Sequence, residues 1–302
     1  MSLFFKAPLD IEIRLDNEGS RKHVDIQSVQ GRTESLPLYK DGESVKGNVT
    51  VRTREGKRVE HIGIKVQLLG SIESSLDTIS SSDFLSLATE LAAPLLISHP
   101  ESYPFEFRNV EKQYESYRGK NVRLRYYVRV LVSRKNKSDI TREKEIWVYQ
   151  YATPQPPLDV VAPASTTVKM DVGIEHCLHI EFEYLKPRFS LKEVIVGRIY
   201  FLLVRLKIKH MELSLIRRET VGSPPNQVVD SETMVKFEIM DGAPVKGESI
   251  PIRLFLGGYN LTPTYKEVNK KFSTRTYLSL VLIDEDARRY FKQSEIILYR
   301  DE

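Results

Sequence analysis

Apolar and polar residues alternate along most of this chain. In Leu9-Asp-Ile-Glu-Ile-Arg-Leu15, Leu9, Ile11, Ile13 and Leu15 fall on one face and Asp10, Glu12 and Arg14 on the other. A period of two is that of a strand with one face buried. Val45, Gly47, Val49 and Val51 alternate with Lys46, Asn48, Thr50 and Arg52, and Ile62, Ile64, Val66 and Leu68 form the next apolar face. His179-Ile-Glu-Phe-Glu-Tyr184 and Met211-Glu-Leu-Ser-Leu215 predict two more strands. Residues 278–283 are apolar on both faces and predict a central strand. Asp41-Gly42, Gly56-Lys57, Gly119-Lys120, Asp241-Gly242 and Gly257-Gly258 mark hairpins or loops. Helical periodicity is scarce. Residues 83–91 fit a short helix or a strand, and 284–290 predict one helical turn before a last strand at 295–299. Many short strands divided by turns predict an all-β chain of sandwiches or barrels.

The pattern occurs twice, about 150 residues apart. Gly47-Asn-Val-Thr-Val precedes Glu60-His61-Ile62, and Gly197-Arg-Ile-Tyr-Phe precedes Lys209-His210-Met211. Tyr103-Pro-Phe-Glu-Phe107 is answered by Ile250-Pro-Ile-Arg-Leu254, and Arg125-Tyr-Tyr127 by Arg275-Thr-Tyr277. Order and spacing are nearly kept, so the chain reads as two copies of one β unit. Between them lies Tyr151-Ala-Thr-Pro-Gln-Pro-Pro-Leu, continuing to Pro163, where Pro154, Pro156 and Pro157 remove backbone donors. This Pro-rich linker sets the boundary near residue 160, with one β-sandwich domain over 1–158 and a second over 159–302. The copies differ at Ile195–Val204, which is apolar on both faces. Either a loop folds over that strand or the two sandwiches meet there.

With 302 residues, each copy has enough chain for its own core. A net charge of +4 demands neither nucleic acid nor an anionic membrane. The lone Cys177 excludes an internal disulfide and a cysteine-rich zinc site. Met1-Ser-Leu-Phe-Phe-Lys6 is too short for a secretory core, and Ser2 is not the glycine of a myristoylation signal. A cytosolic protein that reaches membranes through partners is expected.

Catalytic motifs are missing: no G-x-S-x-G, no G-x-x-x-x-G-K-[ST], no G-x-G-x-x-G and no Cys-x-x-Cys. His176 and His179, three apart on a strand, would face opposite ways and make a poor metal pair. His61 and His210 hold equivalent places in the copies and read as architectural, each bonding a neighbouring loop. Glu181 and Glu183 share one strand face and Arg205, Lys207 and Lys209 another. They pair if those strands are neighbours and are otherwise solvated, or form a polar contact between domains. The basic run at 133–137 lacks interleaved aromatics, a weak nucleic-acid signal. No enzyme, metal or cofactor is expected.

Longer strings carry a resemblance. These are Pro37-Leu-Tyr-Lys-Asp-Gly-Glu-Ser-Val-Lys-Gly47, Val172-Gly-Ile-Glu175, Cys177–Tyr184, Val194–Val204, Phe237–Phe255 and Asp286-Ala-Arg-Arg-Tyr-Phe-Lys-Gln293. Across essentially its whole length the chain resembles the vacuolar-protein-sorting protein 26 family, the arrestin-like subunit of retromer. The resemblance implies an all-β, arrestin-like fold of two consecutive β-sandwich domains. It also implies a non-catalytic adaptor that retrieves transmembrane cargo from endosomes to the trans-Golgi network or plasma membrane, at the cytosolic face of endosomal membranes. The partners it implies are the α-solenoid retromer subunit (vacuolar-protein-sorting protein 35), a PX-domain or PX-BAR sorting nexin, and cytosolic cargo tails. The solenoid contact carries over to Ile239, Met240, Asp241 and Gly242, with Met240 at a loop tip and Ile239 on the face of Phe237. The cargo and nexin contact carries over to Val172 and Phe291, each of which also reads as core. An adaptor of the wider arrestin family would be expected to carry Pro-Pro-x-Tyr, and Pro156-Pro157-Leu-Asp does not match it.

Overall fold

The computed structural model describes residues 8–27, 31–54, 58–75, 82–152 and 167–302. The chain divides into two compact units, Met1–Gln150 and Tyr151–Glu302. The prolines of the expected linker, the boundary near residue 160, the Gly56-Lys57 turn and the first six residues lie outside the described residues.

The described residues of unit one form twelve strands: β1 (Leu9–Leu15), β2 (His23–Gln27), β3 (Thr33–Lys40), β4 (Val45–Thr53), β5 (Val59–His61), β6 (Gly63–Ser74), β7 (Ser82–Ala92), β8 (Leu95–Ile97), β9 (Glu101–Phe107), β10 (Tyr117–Arg118), β11 (Val122–Ser133) and β12 (Ile140–Tyr149). One sheet runs β1-β4-β9. The larger runs β2-β3-β12-β11-β6-β7, with β10 on β11, and β5 pairs with β8 apart from both. Unit two contains β13 (Val168–Ile174), β14 (Leu178–Tyr184), β15 (Arg188–Ser190), β16 (Val194–Val204), β17 (Ile208–Val221), β18 (Val228–Asp241), β19 (Ser249–Phe255), β20 (Phe272–Asp284) and β21 (Arg289–Tyr299). Its sheets run β13-β14-β16-β19 and β15-β21-β20-β17-β18.

The sequence repeat is a topological repeat. β1-β4-β9 matches β14-β16-β19, and β3-β12-β11-β6-β7 matches β15-β21-β20-β17-β18. Even the parallel pairing recurs, β3 with β12 and β15 with β21. The repeated glycines have a common cause. Gly47 pairs with Leu15 and Gly197 with Tyr184. A Cβ on Gly47 would lie 2.1 Å from the Arg14 carbonyl oxygen, and one on Gly197 2.5 Å from that of Glu183. Both obstacles are backbone, so a side chain must force two strands apart. Each Gly→Ala variant is therefore expected to lose about 2–3 kcal/mol, read by chemical denaturation.

Alternation is realised as burial. In β1 every odd residue from Leu9 to Leu15 is buried, and in β14 Leu178, Ile180, Phe182 and Tyr184 are. Residues 278–282 form a central stretch of β20 with every side chain buried. Residues 83–91 belong to β7, an edge strand held by β6 and not a helix. Of the hairpin or loop expected at Asp41-Gly42, the structure has the loop: it carries the chain from β3 in one sheet to β4 in the other. In β16 Ile195, Ile199 and Phe201 are buried, while Val196 and Leu202 are 37% and 43% exposed, so no described loop covers them. No helix among the described residues is long and apolar enough to cross a membrane.

Candidate partner-binding surfaces

The expected solenoid contact lies at the end of β18, the outermost strand of its sheet. Alternation alone would turn Ile239 toward the core and Met240 away. The register shows otherwise. Glu212 pairs with Glu238 and the next residue of β17, Met211, pairs with Met240, which leaves Ile239 as the extra residue of a β-bulge. The bulge brings Met240 opposite the buried Met211, and both Ile239 and Met240 are half-buried against the core of unit two. Met240 thus lies within the strand and not at a loop tip. Asp241 is exposed, and the Gly242 amide donates to the Lys209 carbonyl at 2.9 Å. Gly242 has φ +133, a conformation that suits glycine.

His210 borders this surface, opposite Asp241. Its ring lies between Glu238 (3.3 Å) and Glu212 (3.5 Å), and Lys236 reaches the buried Glu212 at 3.1 Å. The expected equivalence with His61 does not hold. His61 is 1% exposed, and among the described residues neither ring nitrogen makes a well-formed hydrogen bond. Burial holds it below the usual imidazole range, partly offset by Glu101. The β5–β8 pair encloses His61, whereas His210 stands on the long β17 beside an edge strand. His61 is packed within unit one, and His210 bears on a surface of unit two.

The expected cargo residues separate. Val172, on β13, is 5% exposed and part of the core that Tyr290 also packs against. Phe291, on β21, is 65% exposed. The strands that carry them lie against each other. β13 is the last strand of its sheet, and β15 pairs only with Ile297–Tyr299 of β21. Among the described residues, β13 and residues 289–296 of β21 therefore each leave an edge unpaired. The Tyr184 hydroxyl donates to Ser294 Oγ at 2.7 Å, joining the two sheets beside these edges. The turn into β21 is not the helical turn expected at 284–290. Asp284 Oδ1 accepts the Arg288 amide (2.8 Å) and the Asp286 amide (3.0 Å), Oδ2 accepts the Tyr290 hydroxyl (2.9 Å), and Ala287 adopts φ +62. Burial raises the Asp284 carboxyl, but these bonds prevail and hold it below the usual range. The clamp fixes Tyr290 inward, so the next residue, Phe291, points out.

The other charged residues do not converge. Glu181 pairs with Lys169 on β13 at 2.9 Å and Glu183 lies opposite Arg198, while Lys207 pairs with Glu285 at 3.6 Å. The two groups are not on neighbouring strands. His176 is not on a strand but in the β13–β14 turn, at φ +60. Among the described residues no cluster of three His, Cys, Asp or Glu side chains is placed to hold a metal.

The family model for vacuolar protein sorting-associated protein 26 matches residues 5–287. The chain belongs to this family. A protein of that name from Schizosaccharomyces pombe is 52% identical over 300 residues, covering 99% of this chain and 98% of the relative. The human vacuolar protein sorting-associated protein 26B is 51% identical over 302 residues, 99% of this chain and 88% of the relative. The Dictyostelium discoideum protein is 49% identical over 297 residues, covering 98% and 83%. Membership in the protein 26 family assigns the chain a role in vacuolar and endosomal protein sorting, on an all-β, arrestin-like fold.

Proposed function

We propose that the chain is the non-catalytic adaptor subunit of a retromer complex. Its second unit holds the end of an α-solenoid subunit, vacuolar-protein-sorting protein 35, at Ile239, Met240, Asp241 and Gly242. A PX-domain or PX-BAR sorting nexin and a cytosolic cargo tail engage β13 and β21, so that transmembrane cargo is retrieved from endosomes to the trans-Golgi network or plasma membrane. The chain works at the cytosolic face of endosomal membranes, held there by its partners. The boundary between its two domains is kept near residue 160, within the Pro-rich stretch.

The observation that carries this reading is the pair of unpaired strand edges beside the exposed Phe291. An extended tail binds by adding a strand to such an edge, with pockets for alternate side chains supplying selectivity. Val172 is inside the core, so it acts through the backbone of β13, and Phe291 supplies the side-chain contact. Burying the exposed part of a phenylalanine is worth about 1.5 kcal/mol, or roughly tenfold in affinity. Phe291→Ala is expected to weaken tail binding by that factor in calorimetry with the nexin present, and to leave solenoid binding intact. Unchanged tail affinity would remove Phe291 from the site.

A further inference from the structure

The two copies handle one arginine differently. In unit one Arg125 lies opposite Ser71, near the Tyr127 ring. It is paired with Glu73 at 3.2 Å and bonds Glu143. The repeat maps Arg125 to Arg275 and Tyr127 to Tyr277. Following the strand registers, Ser71 corresponds to Arg218, Glu73 to Thr220 and Glu143 to Gln293. Copy two has therefore lost two carboxylates and gained a second arginine. Arg218 and Arg275 stand directly opposite each other, an arrangement that weakens a sheet unless something anionic lies between them. Arg218 stacks over Tyr277 at 4.7 Å and has no carboxylate partner among the described residues. Arg275 approaches the Glu295 carboxylate at 3.8 Å and also bonds the Tyr277 hydroxyl.

These arginines line a concavity of about 630 Å³ on the outer face of the five-stranded sheet. Lys270 and Lys271 close one side, Thr220 and Ser273 add hydroxyls, and Glu267 is the one carboxylate in the lining. The volume is that of a small-molecule site, larger than one phosphate needs. Guanidinium pairs recognise phosphate oxygens in bidentate fashion, and hydroxyls suit a polyol. A peptide is disfavoured because the floor offers it no free backbone: β17 is paired with β18 and β20, and β20 with β17 and β21.

We propose that this concavity binds a ring polyol carrying two or more phosphate groups, as a soluble inositol polyphosphate or as the headgroup of a phosphorylated inositol lipid. The concavity shares no lining residue with the partner contacts proposed at Val172, at residues 239–242 and at Phe291.

The test uses the purified full-length chain, titrated calorimetrically with inositol hexakisphosphate. A parallel arm measures flotation with phosphatidylcholine vesicles, with and without a phosphatidylinositol bisphosphate. Arg218→Ser combined with Arg275→Gln is expected to weaken binding at least tenfold, about 1.4 kcal/mol. Removing equal charge at the exposed Arg14 and Arg108 (Arg14→Gln, Arg108→Gln) should leave binding unchanged. Glu267→Gln should tighten it, a gain that misfolding cannot produce. Vesicle binding with the same variant pattern identifies the lipid headgroup, and soluble binding without it identifies the free polyol. The proposal is overturned if inositol hexakisphosphate does not bind, or if the Arg14/Arg108 variant loses as much as the Arg218/Arg275 variant. Tighter binding of a doubly phosphorylated peptide through the same arginines would overturn the ligand class.

Discussion

The double variant Ile239→Asp, Met240→Asn is expected to abolish pull-down by the α-solenoid subunit. Both side chains are half-buried against the core of unit two, so a partner would cover only what remains exposed. That remainder is worth about 1 kcal/mol per residue. A carboxylate and an amide placed under the partner add a desolvation penalty of about 1–3 kcal/mol each. The sum exceeds about 3 kcal/mol, a loss of more than a hundredfold. The variant also gives up packing already present, so its melting temperature should fall by a few degrees. Val235→Ala provides the control. Val235 is 2% exposed on the same strand, and its truncation costs about 2 kcal/mol of stability without touching the bulge. Solenoid binding should survive in that variant. If the double variant still binds, the β18 end is not the interface; if both variants lose binding, the loss is one of folding.

The strands and the repeat were legible in the sequence because they are written in a period of two. Leu9–Leu15 states which side faces the core, and Gly47 and Gly197 recur because each lies against the backbone of a neighbouring strand. Four features were not legible, because contacts that alternation does not record decide them. The bulge at Ile239 depends on how β18 registers with β17, and register is a property of two strands, so the Asp241-Gly242 turn signal put Met240 at a loop tip. The clamp on Asp284 depends on amides four residues away, and Asp284-Glu-Asp-Ala reads as well for a helical turn. The sequence echo matched His61 with His210, but one is enclosed by a short strand pair and the other borders an edge, a difference made by neighbours. Val172 was readable as core from its alternation with Met170. Phe291 was not readable as exposed, because Tyr290-Phe291 breaks the alternation.

Lys112→Met is expected to cost unit one about 3 kcal/mol, seen as a lower denaturation midpoint. In sequence this lysine sits in the polar run Glu111-Lys-Gln113 and gives no sign of its role. In the structure its side chain is fully buried. Nζ donates to the carbonyls of Lys40 (3.0 Å), Val110 (3.2 Å) and Glu43. Its amide donates to Asp41 Oδ1 at 2.6 Å, which also accepts the Gly42 amide. Lys112 thereby ties the β3–β4 crossover, which joins the two sheets, to the segment after β9. Methionine fills the same volume but removes a charged donor: the Val110 and Lys40 carbonyls keep the Gly42 and Glu43 amides, while the Glu43 carbonyl loses its ammonium, and losing a buried bond to a charged group costs about 1.5–3 kcal/mol. The pH dependence distinguishes this account from simple loss of packing. Burial lowers the ammonium to about 8, against the raising influence of Glu43 and Asp41. Between pH 8 and the ordinary lysine value near 10.5, the unfolded chain keeps a proton that the folded chain has shed, so stability from this residue rises with pH. Methionine has no such proton. The stability gap between wild type and variant should therefore widen as pH is raised through that window, measured by urea denaturation at its two ends. A gap that stays constant would mean that the three carbonyls, with Glu43 and Asp41, offset the cost of burying the ammonium and leave Lys112 at its ordinary pKa.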